Sequence, residues 1–374
     1  MAAPGSAPIQ ISLDAAAAGA DTDQLLTAIL RSHSRVSDLI FSPGRGPQVQ
    51  SDGKFLAVQI AGLPCLSADH TRRIASELIG NNKAAITMLR EQGYCDLSYG
   101  LAGLARFRVN VFIQRSSCAV VMRVIPTAIP DLMALGAPEQ LREVITLCSG
   151  LVLVTGPRGA GKSSTLAALV NHINESEECH IITVEDPIEF LHVHKRSTVH
   201  QRELHSDTPS FSQALHAALR QASNVIVVGE LKHYEEMELA LEAAETGHLV
   251  LSTFNTLTAP QAVERFVAAF PAIEQANVRE RLRRMLRYVV CQRLVRRQQD
   301  GKRIAAYEIV RCHPLPSLEM PEGETDNSRS ANQSHLDAEL ERLVRQGLIS
   351  PEAALEQALE PEQLSRKLAL DESL

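Results

Sequence analysis

The sequence predicts an α/β chain of two domains: a small α+β unit, then a larger unit on a mostly parallel sheet with crossover helices. Three observations predict it. Apolar runs at 151–154, 180–184, 225–228 and 249–251 alternate with helix-patterned segments, as strands buried on both faces do. The chain has 374 residues, 45% of them hydrophobic, which is enough for two ordinary cores. A proline-punctuated stretch, Pro126-Thr127-Ala128-Ile129-Pro130, marks a boundary, because residues before proline avoid helix.

Taken in order, residues 1–21 are rich in Ala, Gly and Pro and read as a disordered lead-in. Residues 22–126 form the first domain. There Leu25, Leu26, Ile29 and Leu30 keep a helical period, and strand-like runs at 55–60 and 119–125 sit among turn signals at Pro43-Gly44 and Ser51-Asp52-Gly53. Residues 131–312 carry the parallel sheet. Residues 313–334, with prolines, acids and serines, read as a disordered linker. Residues 335–374 read as C-terminal helices, one stopped at Gly347 and the next opened by Ser350-Pro351. They would pack on their own domain or bind a partner.

The chemistry concentrates after the run at 151–154. Gly156, Pro157, Arg158, Gly159, Ala160, Gly161, Lys162, Ser163 and Ser164 complete G-x-x-x-x-G-K-[ST] between a strand and a helix. Glycines let the chain curl so that backbone N–H groups meet phosphate oxygens. Lys162 then reaches the β- and γ-phosphates of ATP, and Ser163 offers its hydroxyl to Mg²⁺. Both act at a helix N-terminus, where free N–H groups and the macrodipole favour an anion.

A carboxylate to orient the attacking water belongs at the end of a buried strand, because ligands of open α/β sheets sit at the strands' carboxyl ends. Glu230, after the run at 225–228, is the candidate general base. Glu185, in Glu185-Asp186-Pro187-Ile188-Glu189, ends another strand toward the same crevice, though a plain strand-to-turn cap fits it too.

Other classes are excluded. The seven cysteines stand singly, with no C-x-x-C pair, so neither zinc knuckle nor disulfide framework is indicated and a reducing cytosol fits. No run of 18 apolar residues exists and the start lacks a signal-peptide pattern, which predicts no direct membrane insertion. Arg279, Arg281, Arg283, Arg284, Arg287, Arg293, Arg296 and Arg297 crowd a segment read as helical. A net charge of −7 and 4% aromatic content nonetheless argue against nucleic acid as partner. That segment is expected to face an acidic neighbouring subunit or water.

These motifs resemble the secretion ATPases of the type II/type IV pilus group, and within it the PilT/PilU-type retraction motors. Leu151-Val152-Leu153-Val154-Thr155-Gly156-Pro157 runs into the phosphate loop as in that family. The segment 183–190 looks like its Asp box, Val228-Gly229-Glu230 like its Walker B end, and the segment 243–250, with His248, opens its His box. Ala105-Arg106-Phe107-Arg108-Val109-Asn110 is also similar to the family's first domain. The resemblance implies a PAS-like N-terminal domain before a RecA-like P-loop domain, and a homo-hexamer that hydrolyses Mg-ATP. It implies work in pilus retraction and twitching motility, at the cytoplasmic side of the inner membrane at the pilus base. Its implied partners are an inner-membrane platform protein and other pilus ATPases. It further implies that Arg106, Arg108 and Arg123 act in trans on a neighbour's nucleotide, where an arginine neutralises transition-state charge. Arginines spaced by two would equally decorate the outer face of a strand.

The chain also departs from the family. The His box usually ends Thr-Leu-His-Thr, whereas this chain has Thr253-Phe254-Asn255-Thr256. Asn255 can donate a hydrogen bond but cannot carry a proton near neutral pH. The expected activity is therefore a reduced ATPase, or a nucleotide-binding, hydrolysis-impaired regulatory paralogue. The linker at 313–334 stands where retraction motors carry a further helix.

Overall fold

The computed structural model describes residues 9–11, 21–33, 36–51, 54–125, 128–312 and 336–371. They form two compact units, divided between Thr127 and Ala128.

The first unit contains β1 (Ile9–Ile11), α1 (Thr22–Ser32), β2 (Val36–Phe41), β3 (Gln48–Ser51), β4 (Lys54–Ile60), α2 (Ala68–Ile79), α3 (Lys83–Gln92), β5 (Tyr94–Leu101), β6 (Ala105–Gln114) and β7 (Ser117–Ile125). Its seven strands lie in the order β1-β4-β3-β2-β7-β6-β5. The side chains of Asp21, Ser67 and Asn82 each accept a backbone N–H and so fix where the three helices begin. Leu26 and Ile29 of α1 bury with Leu39, Phe41, Phe107 and Met122 of the sheet. One expectation is corrected. Ile9–Ile11, inside the stretch expected to be disordered, pairs in parallel with Val58–Ile60 of β4. A three-residue apolar–polar–apolar run supplies a strand that the surrounding Ala, Gly and Pro conceal from a composition argument.

In the second unit a 3-10 segment (Glu139–Thr146) precedes β8 (Gly150–Thr155), α4 (Lys162–Ser176), β9 (His180–Glu185), β10 (Thr198–Glu203), α5 (Phe211–Ala218), β11 (Val225–Val228), α6 (Tyr234–Glu245) and β12 (Leu249–Phe254). Then come α7 (Ala259–Ala268), α8 (Gln275–Met285), β13 (Leu286–Arg296), β14 (Arg303–Arg311), α9 (Leu336–Arg345), α10 (Pro351–Gln357) and α11 (Pro361–Asp371). The strand order is β10-β9-β11-β12-β8-β13-β14, parallel throughout except where β14 returns antiparallel to β13. Alternate residues bury on opposite faces: Leu151 and Leu153 join the core with α5, α6, α7 and α8, while Val152 and Val154 join α4 and the 3-10 segment. Both faces are covered, which is why these strands read as continuous apolar runs. This is the RecA-like sheet that the family resemblance implies, with every loop after β8, β9, β11 and β12 at one edge.

The arginine-rich segment is not one helix. Arg279, Arg281, Arg283 and Arg284 lie on α8, whereas Arg287, Arg293 and Arg296 lie on β13 and Arg297 follows it. The α8 arginines meet acids of their own unit: Arg279 pairs with Glu264, Arg281 with Glu238 and Glu245, and Arg283 and Arg284 with Glu280. Arg279, Arg283 and Arg284 remain largely exposed in these pairs, as the reading that they face water expects, while Arg281 is half-buried between its two acids.

At the C-terminal end, Gly347 (φ 67°) takes the left-handed turn that closes α9, with Leu348 N–H donating to Leu343 O. Leu336, Leu340, Leu343, Ile349, Ala354 and Leu364 bury against Val295 of β13 and Ala306 of β14. Of the two readings of these helices, packing on their own domain describes this apolar face. The linker expected at 313–334 lies wholly outside the described residues. Among the described residues no helix is long and apolar enough to cross a membrane.

Candidate functional site

The phosphate-loop motif occupies the turn between β8 and α4, and its glycines are there for identifiable reasons. Gly156 (φ 151°) lies so close to β13 that a Cβ would stand 2.5 Å from the Gln292 carbonyl oxygen. A Cβ on Gly161 (φ 88°) would stand 2.9 Å from Gln292 Nε2. Gly159 (φ 77°) has open space around it and needs only the left-handed backbone. Gln292 braces the loop from below, its Oε1 accepting from Thr165 Oγ1 at 2.8 Å on the first turn of α4. Among the described residues no side chain caps the N-terminus of α4, so its first N–H groups are left for the loop. An uncapped 15-residue helix entered by such a turn fits a phosphate group.

Lys162 Nζ donates to Gly156 O and Pro157 O at 2.9 Å and to Asn255 Oδ1 at 2.7 Å. Burial pushes its ammonium below the usual lysine range, while the charges of Glu230 and Glu189 pull it back up. A cavity of about 230 Å³ opens above it, lined by Arg158, Gly159, Lys162 and Ser163 of the loop, Glu185 at the end of β9, Asp186, Glu189, Phe190 and His192 after it, and Glu230, Thr253 and Asn255. The cavity thus gathers the loop, both candidate carboxylates and Asn255.

The carboxylates differ in setting. Glu185 Oε1 accepts from Thr183 Oγ1 at 2.7 Å and Gln201 Nε2 at 3.1 Å, and Oε2 from Glu189 N–H at 3.4 Å. Burial nevertheless dominates and pushes the carboxyl above the usual glutamate range. Its approach to the Walker B strand depends on Gly229, where a Cβ would stand 3.3 Å from Glu185 Cα. Glu230 is bound on both oxygens, accepting from Asn255 Nδ2 and lying 3.5 Å from Lys232 Nζ. Asn255 therefore bridges the loop lysine and the Walker B carboxylate. Arg265 steadies it, donating to Asn255 O at 2.6 Å.

His248 is not brought to this site. It precedes β12, where Gly150 N–H donates to its carbonyl, and its ring contacts Ala243 O and Thr246. Gly150 is the far end of β8 from the phosphate loop, roughly 20 Å away along six residues of strand. The family's box spans a whole strand, and only its Asn255 end reaches the cavity.

The three arginines lie in the first unit. Arg106 and Arg108 are two apart on β6, and Arg108 stands directly opposite Arg123 on β7. Arg108 and Arg123 are exposed, and Arg123 Nε donates to Asp38 Oδ1 at 2.8 Å.

Sequence reasoning gave no role to Gln201 and His192, nor to Thr183 and Thr253, although Thr183 opens the Asp-box segment and Thr253 stands in the His-box end. Thr253 Oγ1 donates to Gly229 O at 2.6 Å and fixes the Walker B turn. Burial and the Lys195 charge push His192 down to about 4, so its ring is neutral. None belongs to a residue pattern with a chemical reading of its own. The available signal was membership of the Asp-box and His-box segments for Thr183 and Thr253, and nearness to the Asp box for His192 and Gln201.

A family model described as "Type II/IV secretion system protein" matches residues 97–337. The "Twitching motility protein" of Neisseria gonorrhoeae is 41% identical over 310 residues, covering 81% of this chain and 82% of that protein. The "Type IV pilus retractation ATPase PilT" of Pseudomonas aeruginosa is 40% identical over 333 residues, covering 87% and 95%. A crystal structure of the pilus retraction motor PilT with bound ADP superposes with a TM-score of 0.78 at 36% identity, covering 92% of this chain and 98% of that one.

Proposed function

From the chain's membership of the type II/IV secretion system protein family, which the match over residues 97–337 and its relatives' identities show, we propose that it is an ATP-hydrolysing motor of the type IV pilus machinery that works in retraction. The resemblance read from the motifs is thus a family relationship. The observation that carries the proposal is Lys162 at the uncapped start of α4, in one cavity with Glu185 and Glu230.

In this reading the backbone N–H groups of the phosphate loop, which all its residues but Pro157 carry, and the Lys162 ammonium bind the β- and γ-phosphates of ATP, as they suit an anion. Lys162 exchanges its bonds to Gly156 O, Pro157 O and Asn255 Oδ1 for phosphate oxygens. Ser163 would hold Mg²⁺, a cation that prefers oxygen ligands and spreads the charge of the phosphates. Of the two carboxylates, the general-base role expected of Glu230 passes to Glu185, whose Oε2 holds only the 3.4 Å Glu189 N–H, whereas both Glu230 oxygens are engaged by Asn255 and Lys232. Glu230 orients through Asn255. Arg106, Arg108 and Arg123 act on the nucleotide of a neighbouring subunit in a homo-hexamer, at the cytoplasmic face of the inner membrane beside the pilus platform protein.

A second reading has one observation in its favour. Asn255 holds both Lys162 and Glu230 and cannot be protonated near neutral pH, which suits a subunit that binds nucleotide without turning it over. ATP hydrolysis and nucleotide affinity, measured together on wild type, Lys162→Ala and Glu185→Gln, separate the two. A motor loses turnover in both variants and retains nucleotide binding in Glu185→Gln. The paralogue binds nucleotide and shows no turnover to lose.

A further inference from the structure

Beside Glu185 lies a residue that no motif marks. Gln201 sits on β10, the edge strand of the sheet, in direct register with Thr183 of β9. Its side-chain Nε2 donates to Glu185 Oε1 at 3.1 Å and to Phe190 O at 2.9 Å, and its Oε1 accepts His192 N–H at 2.8 Å. The partners fix the amide's orientation, because the reverse would set an oxygen against two oxygens and an NH₂ against an N–H. Thr183 and Gln201 together deliver two donors to the same carboxylate oxygen.

We propose that Gln201 is a positioning residue that holds the Glu185 carboxylate in its reactive orientation and ties it to the loop at 186–192. The inference rests on the ATPase reading for its effect on turnover, but its geometry concerns this chain's own residues. Of Glu185's three donors, the Glu189 N–H is the weakest at 3.4 Å, and the Thr183 hydroxyl comes from its own strand, two residues away. Gln201 joins the carboxylate to Phe190 O and His192 N–H of the chain that passes over the cavity, beside the longer direct bond from Glu189 N–H. Without it, Phe190 O and His192 N–H lose their shared partner, and the loop that lines the cavity comes loose from the edge strand. Glu189 is the charged neighbour that would then repel Glu185, and burial pushes in the same direction.

The test compares wild type with Gln201→Met, which keeps the volume and removes the hydrogen bonds, and Gln201→Glu, which keeps the shape and opposes one carboxylate with another. A melting curve shows that each is folded. The expected result is a loss of about 10²-fold in kcat, the scale of a small misplacement at a reacting group, with nucleotide affinity within about threefold of wild type. Titration of Glu185, followed by the ¹³C shift of its side-chain carboxyl in the nucleotide-free protein, is expected to move up by about one unit in Gln201→Met, the scale of one hydrogen bond to a charged group. That second readout does not depend on turnover. A wild type that neither binds nor hydrolyses ATP would sink the ATPase reading while the titration still tests Gln201. An unchanged titration with unchanged kcat, even at a lowered melting temperature, would reduce Gln201 to a structural residue and overturn the proposal.

Discussion

Replacing Gly156 and Gly159 separately by alanine tests whether the loop's shape is set by its fit against β13 or by backbone freedom alone. At Gly159 (φ 77°) the added methyl meets nothing within 4 Å, so the cost is that of a left-handed alanine, about 1–2 kcal/mol. The stiffer unfolded chain returns about 0.4–1 kcal/mol of it. At Gly156 (φ 151°) the backbone itself is in a region nearly confined to glycine, worth about 1–3 kcal/mol. The methyl there would also stand 2.5 Å from Gln292 O and 3.0 Å from the Ala160 Cβ, and backbone on β13 cannot rotate away. Overpacking of that kind adds about 1–3 kcal/mol. The net expectation is about 1 kcal/mol or less for Gly159→Ala and about 3 kcal/mol for Gly156→Ala. Urea unfolding followed by circular dichroism measures both, and a fluorescent ATP analogue reports the loop's affinity. Equal costs at the two positions, or a Gly156→Ala protein as stable as wild type, would refute the close approach of loop and strand.

Three further predictions follow from the site and its supports. Asn255→His is expected to raise turnover by tens of fold, up to the roughly 10²-fold that one transition-state donor supplies, and to add a limb near the histidine range to the pH–rate profile. His192, neutral with a folded value of about 4 against 6.5, lets the unfolded chain take up its proton first. Its contribution to stability is therefore present above pH 6.5 and lost as the pH falls toward 4, by about 2 kcal/mol for a part-exposed ring, and thermal melts of His192→Leu show a flatter acid side over that window. Leu340→Ala, at a fully buried position of α9, costs about 2–5 kcal/mol, read as faster proteolytic release of the C-terminal helices while nucleotide affinity at the phosphate loop is unchanged.

The strand–loop–helix at 151–176 was legible because a buried parallel strand, glycines and a lysine leave little else for that pattern to be. The four apolar runs gave the parallel core for the same reason, since strands covered on both faces carry no polar positions. The edge of the sheet was less legible: β10 reads Thr-Val-His-Gln-Arg-Glu, which has polar residues on both faces, and Gln201 shows its role only through partners on β9 and in the loop after it. His248 looked like part of the site because motif letters do not reveal that six residues of strand separate it from Asn255. The arginines from 279 to 297 looked like one helix because charge density hid the change of period at Leu286, where a half-buried strand begins.

The central claim is that this cavity hydrolyses ATP with Lys162 and Glu185. The most direct measurement is steady-state phosphate release from Mg-ATP by the purified chain beside Lys162→Ala and Glu185→Gln, both checked for folding. The account predicts measurable wild-type turnover, its loss in Lys162→Ala together with nucleotide binding, and its fall by at least about 10²-fold in Glu185→Gln with binding retained. Turnover in Glu185→Gln equal to wild type would contradict the account.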